Sequence, residues 1–153
     1  MKNKIARFIH RLIRIKNKIT QPFSIGVRAI VLDQGNRVLL VKHTYTNLWY
    51  LPGGGVHKKE PLLPSLSREL QEEVGLTVQG KPTLLGTYSN FYEGKSDYIS
   101  IFVVKSFKIR ENKSLEIERY KFFNLDELPE DISRGSKYRI QEYLGQKDID
   151  YIW

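Results

Sequence analysis

Three features of this 153-residue chain predict an α/β domain preceded by a basic amphipathic helix. Aliphatic and β-branched runs of strand length recur between residues 25 and 123; the apolar period becomes helical at about 62–74 and 135–144; and a glycine run separates the first strands from the first of those helices.

The elements follow in order. Ile5, Phe8, Ile9, Leu12, Ile13 and Ile19 fall at helical spacing opposite Lys2, Lys4, Arg7, Arg11, Arg14, Lys16 and Lys18, so residues 1–20 read as an amphipathic helix. Gln21-Pro22 ends it, because proline cannot continue a helix, and residues 21–153 form the main domain. Val27–Leu32 and Arg37–Lys42 flank an Asp33-Gln34-Gly35-Asn36 turn and are expected to form a hairpin. Trp49-Tyr50-Leu51 is a short strand, broken by Pro52-Gly53-Gly54-Gly55. A helix is expected from Leu62 to Val74, with Pro64 tolerable because it lies in the first turn, and Gly75 stops it. Strands follow at Pro82–Ser89, Ile99–Lys108 and Tyr120–Phe123, then a last helix at Gly135–Leu144.

Composition excludes several classes. With 41% apolar residues and 12% aromatics the chain can build a core, which rules out wholesale disorder. Cysteine is absent, so disulfide scaffolds, thiolate zinc sites and cysteine catalysis are out, and a cytoplasmic location is the straightforward expectation. Aliphatic runs such as Ala29–Leu32 fall far short of the ~20 residues a spanning helix needs. The net charge of +8 is unevenly placed: residues 1–18 carry seven cations and no acid, leaving 18 cations against 17 acids in the rest. The apolar stripe of residues 1–20 either packs on its own domain or a second subunit, or lies at an anionic membrane surface. Nucleic acid is the less favoured partner, since the basic excess sits outside the main domain.

The chemistry concentrates between Gly53 and Leu76. Glu69, Glu72 and Glu73 fall within a ~100° arc of the helix, beside the apolar arc of Leu66, Leu70 and Val74. Like charges at this spacing weaken a helix unless Arg68 or a cation compensates, and a hard divalent ion prefers carboxylate oxygens. Gly53, Gly54 and Gly55 let backbone groups approach a metal and a phosphate without a Cβ in the way.

These residues follow the pattern G-x5-E-x7-R-E-U-x-E-E-x-G-U, with U aliphatic, from Gly54 through Glu60, Arg68, Glu69, Leu70, Glu72, Glu73 and Gly75 to Leu76. The pattern is the signature of the Nudix hydrolases, and the chain resembles that family over about residues 25–145. Trp49-Tyr50-Leu51-Pro52 and Phe122–Pro129 add to the likeness, while Pro64-Ser65-Leu66-Ser67 departs from what relatives commonly carry there.

The resemblance implies an α/β/α sandwich around a mixed sheet. It also implies Mg²⁺- or Mn²⁺-dependent hydrolysis of a phosphoanhydride bond in a nucleoside diphosphate linked to another group, such as ADP-ribose, a nucleoside triphosphate, a sugar nucleotide or a dinucleoside polyphosphate. Glu69, Glu72, Glu73 and the Gly53 carbonyl would hold the metal, Glu69 doubling as a candidate base, with Arg68 as organiser and Glu60 supporting the loop or a second metal. Glu116, six residues before Phe122, is the fourth carboxylate and candidate general base, with Glu118 its rival. Gly54, Gly55 and Tyr92 would contact substrate. Tyr45, Trp49 and Phe91 are further aromatics able to stack on a base, whereas His10 and His43 read as structural. A non-catalytic nucleotide-binding module on the same scaffold is the alternative. A small-molecule nucleotide is the expected partner, and a homodimer is compatible with the family.

Overall fold

A computed structural model of the chain describes residues 23–92 and 95–153; the amphipathic helix expected at residues 1–20 lies outside them. Strands β1 (Phe23–Val31), β2 (Arg37–His43) and β3 (Trp49–Tyr50) precede helix α1 (Leu62–Val74). Then come β4 (Leu76–Val78), β5 (Thr83–Tyr92), β6 (Lys95–Val104), β7 (Phe107–Ile109), β8 (Ile117–Asn124) and helix α2 (Arg134–Tyr143).

The expected hairpin of the first two long strands does not form. β1 runs parallel to β6, which pairs antiparallel with β5, while β2 lies between β3 and β8 in a second ladder. The two arms of the Asp33–Asn36 turn meet only at its base, through the Leu32–Val38 bridge and the hydrogen bonds between Asp33 and Arg37. The reason is burial on both faces: Val27, Ala29, Ile30 and Val31 are fully buried, and such a strand belongs inside a mixed sheet rather than at the edge of a hairpin. The run expected at Ile99–Lys108 also divides, at Lys105-Ser106, into β6 and β7, and β7 pairs with the short β4.

The strands form the middle layer of an α/β/α sandwich. Val27, Ala29 and Val31 of β1, with Leu39 and Val41 of β2, pack towards Leu66, Leu70 and Val74 of α1. Their neighbours Ile30, Val38 and Leu40 point the other way and pack with Ile140 of α2, Trp49, Leu51 and Tyr88. The period-two alternation of β1 and β2 thus feeds two cores at once. Each fully buried leucine contributes ~1.5–3 kcal/mol, enough to hold α1 although its acids oppose one another. Gly75 closes α1 at φ 67°, its N–H donating to the Gln71 carbonyl.

α2 carries a buried ionic group. Arg139, with no exposed surface, donates to the Glu142 carboxylate at 2.7 Å and to the Ile152 carbonyl at 2.8 Å, with Tyr88 against its guanidinium face. The segment Tyr151–Trp153 runs beside β5 through Ser89 and covers this network. Among the described residues no helix is long and apolar enough to cross a membrane.

Candidate active site

The glycine run is fixed by β1. Ala29 N–H donates to the Pro52 carbonyl and Val27 N–H to the Gly54 carbonyl, both at 2.9 Å, and Val56 N–H donates to the Ile25 carbonyl at 2.8 Å. Residues 52–56 therefore lie along the free side of β1 as an irregular extra strand. Glycine is required at 53: φ is +131°, and a Cβ there would collide with the Val27 carbonyl and approach Arg28 Cα to 2.9 Å.

This placement brings the loop against the acidic face of α1. Glu73 is buried, and one of its carboxylate oxygens accepts from Gly53 N–H at 2.8 Å. Burial, reinforced by the neighbouring Glu69 and Glu116 charges, pushes its pKa up to about 7, against the pull of the Gly53 hydrogen bond and Arg28. Glu69 is largely covered, and its carboxyl group lies over Gly54 where a side chain would otherwise stand. Glu72 is the exposed member of the three.

Arg68 organises the outer half. Its guanidinium reaches Glu60 at 2.8 and 2.9 Å, Glu69 at 2.6 Å, Glu72 at 3.3 Å and the Gly55 carbonyl at 3.0 Å. Glu60 also accepts from His57 N–H, and these donors hold it down to about 2. The exposed His57 imidazole stands 3.8 Å from Glu60.

Glu116 lies in the loop immediately before β8, its carbonyl accepting from Thr44 N–H at 2.9 Å, and its charge is felt by Glu73, His43 and Tyr45. Glu118 is turned towards Arg119, which stacks over Trp49. Tyr92 pairs with Lys95 across the β5–β6 ladder, and its side chain lies outside the described residues.

Two residues were not foreseen as part of the site. Arg28 donates to the Gly53 carbonyl and sets a cation beside Glu73; the only hint in the sequence is a charge in an otherwise aliphatic strand. His43 is buried beneath Tyr45, its Nδ1 without a partner, and burial together with Arg28 keeps its pKa low, so the imidazole is neutral at pH 7.

Among the described residues, no three His, Asp or Glu side chains converge on one point as a metal would require. The set nonetheless fits a hard divalent cation in its chemistry: every donor is oxygen, and Glu73 is a carboxyl group held up chiefly by burial, with the Glu69 and Glu116 charges adding to it.

The chain is similar to known proteins in sequence and in fold. Over 62 residues, 39% of each chain, the sequence is 39% identical to an RNA pyrophosphohydrolase of Pelagibacter ubique. An 8-oxo-dGTP diphosphatase of Proteus vulgaris is 31% identical over 83 residues, 52% of this chain and 73% of that one. The crystal structure of a MutT NUDIX hydrolase from Burkholderia pseudomallei superposes with a TM-score of 0.69 at 25% identity, covering 78% of this chain and 96% of that one. The chain spans only about a third to two fifths of the length of the first curated relatives it matches. Residues 22–143 match the NUDIX domain along most of the described sequence, and the chain belongs to the Nudix family.

Proposed function

We propose that this domain hydrolyses a phosphoanhydride bond in a nucleoside diphosphate linked to a further group, using Mg²⁺ or Mn²⁺. The observation that carries the reading is the seating of the glycine loop on the acidic helix, with Gly53 N–H on Glu73 and Gly54 beneath Glu69. The names of the similar proteins support it, since an RNA pyrophosphohydrolase and an 8-oxo-dGTP diphosphatase both act on nucleoside-linked phosphates.

Glu69, Glu72, Glu73 and the Gly53 carbonyl are the residues that would hold the cation, with Glu116 completing the set. When bound, a divalent ion screens the diphosphate charge and lowers the pKa of an attacking water. The chain's own groups do the rest. Arg68 holds Glu69 and the exposed Glu72 through its fork of hydrogen bonds, and Glu60 fixes Arg68. Glu69 or Glu116 accepts the proton of the attacking water, both standing within the field of Glu73. Arg28 supplies a fixed positive charge on the glycine-loop side, where a substrate phosphate gains from it. Gly55, with nothing near the place of a side chain, leaves that side open for phosphate oxygens, while Gly54 makes room for the Glu69 carboxyl group.

The test is phosphate release from ADP-ribose, nucleoside triphosphates, sugar nucleotides and dinucleoside polyphosphates, with Mg²⁺ and Mn²⁺. Turnover on at least one class, abolished by Glu73→Gln in a protein that still melts cooperatively, is the expected result. An unaffected rate in that variant would overturn the assignment.

A further inference from the structure

We infer that Tyr45 is the platform on which the nucleobase of the substrate stacks. This rests on the function proposed above and deepens it, by assigning the part of the substrate that the acids do not touch.

Tyr45 is 75% exposed, unusual for an aromatic whose ring already has a partner. One face lies on the His43 ring, with centroids 5.0 Å apart and planes at 26°. His43 is only 6% exposed and is backed edge-on by Tyr50 at 5.6 Å, so the stack is anchored in the interior. The other face of Tyr45 is open to solvent.

The loop that carries it is tied down at both ends. Thr44 N–H donates to the Glu116 carbonyl, Thr46 N–H to the His43 carbonyl at 3.3 Å, and Leu48 N–H to Thr46 Oγ1 at 3.3 Å, while Thr46 Oγ1 meets the Tyr50 hydroxyl at 3.4 Å. A ring held in this way loses little freedom when a flat ligand lands on it. The adjoining loop contributes Leu115, 95% exposed and next to Glu116, so two loops joined by one hydrogen bond present apolar surface beside the acids.

Position decides what the surface receives. Thr44 N–H donates to the Glu116 carbonyl at 2.9 Å, so the residue next to Tyr45 is tied to the loop that carries the fourth acid and the ring stands on the acidic side of the molecule. The acids and arginines address the phosphates. A neutral tyrosine on a neutral imidazole addresses a flat, uncharged π-system, and in a nucleoside diphosphate that group is the base.

The experiment is calorimetry with Mg²⁺ and two probes: the non-hydrolysable nucleotide α,β-methylene-ADP, and methylenediphosphonate, which lacks base and sugar. Tyr45→Ala is expected to weaken nucleotide binding about 5- to 150-fold, corresponding to the ~1–3 kcal/mol of one base stack. Affinity for methylenediphosphonate should change less than twofold, and Tyr45→Phe should restore nucleotide binding. Equal nucleotide affinity in Tyr45→Ala and wild type, or an equal loss for both probes, overturns the inference. So does a wild-type protein that hydrolyses diphosphates but shows no preference for the probe bearing a base. Nucleotide binding that depends on Tyr45 in a protein without hydrolytic activity would uphold the platform and overturn the catalytic reading instead.

Discussion

Gly53 and Gly54 are adjacent, yet alanine at the two positions should fail in different ways. At Gly54 an added Cβ meets the Glu69 carboxyl group, with Cδ at 2.6 Å and Oε1 at 2.9 Å, against an ordinary contact of 3.4 Å or more. The obstacle is the end of a flexible side chain, so Glu69 moves by about 1 Å and its ion pair with Arg68 loosens. That pair is partly exposed and contributes at most ~1 kcal/mol, so Gly54→Ala should lower the melting temperature by only about 2–4 °C. A displacement of that size at a reacting group costs roughly 100-fold in rate. At Gly53 the obstacle is the backbone of β1, Val27 and Arg28, and φ is +131°. Backbone strain and overpacking together cost roughly 2–5 kcal/mol, so Gly53→Ala should melt on the order of 10 °C lower. Thermal denaturation and Mg²⁺-dependent phosphate release, run on both variants, separate the two effects. A Gly54→Ala protein with wild-type turnover, or two variants destabilised equally, would refute the placement of Glu69 over Gly54.

Glu116→Gln should lower kcat at least tenfold and Glu118→Gln less than twofold, because only the former lies in the field of Glu73; reversed effects in phosphate-release kinetics would exchange their roles. Glu73 sits at about 7 against an ordinary 4.5, so the folded state holds its proton more tightly than the unfolded chain does. The stability it contributes, about 3 kcal/mol, is complete below pH 4.5 and is lost as pH rises through 7. Metal-free protein should therefore lose more stability between pH 5 and pH 8 than the Glu73→Gln variant, as read from denaturant midpoints. Arg139→Ala leaves Glu142 buried without its partner and should cost about 3–5 kcal/mol, or roughly 10 °C in melting temperature, with rates at 20 °C little changed.

What the sequence made legible was local. α1 begins and ends as Pro64 in its first turn and Gly75 at its end lead one to expect, because those signals act within one turn. The clustering of Glu69, Glu72 and Glu73 follows from helical period alone. Their unequal burial does not, since it depends on β1 delivering the glycine loop to one end of the patch. The strand pairing was misread for the same reason: the Asp33–Asn36 turn looks like a hairpin turn, and only the two-sided burial of β1 marks it as a passage between ladders. Arg28 and His43 were hidden because their roles come from partners 25 and 73 positions away, Gly53 and Glu116, whose proximity no periodicity encodes.

The charges within the site support the proposed cation independently of the motif. Five carboxylates, those of Glu60, Glu69, Glu72, Glu73 and Glu116, share two guanidinium groups, those of Arg28 and Arg68. A purely structural acidic face would sit in solvent with every carboxylate near its ordinary value, each relieved by water. Here two acids of one motif are driven apart instead: Glu60 down to about 2 by its donors, Glu73 up to about 7 by burial among like charges. Such a divergence separates roles. Glu60 is already satisfied, so its work is to hold Arg68. Glu73, buried at the foot of the glycine loop with Gly53 N–H as its donor, is where the proposed divalent ion would gain most by entering.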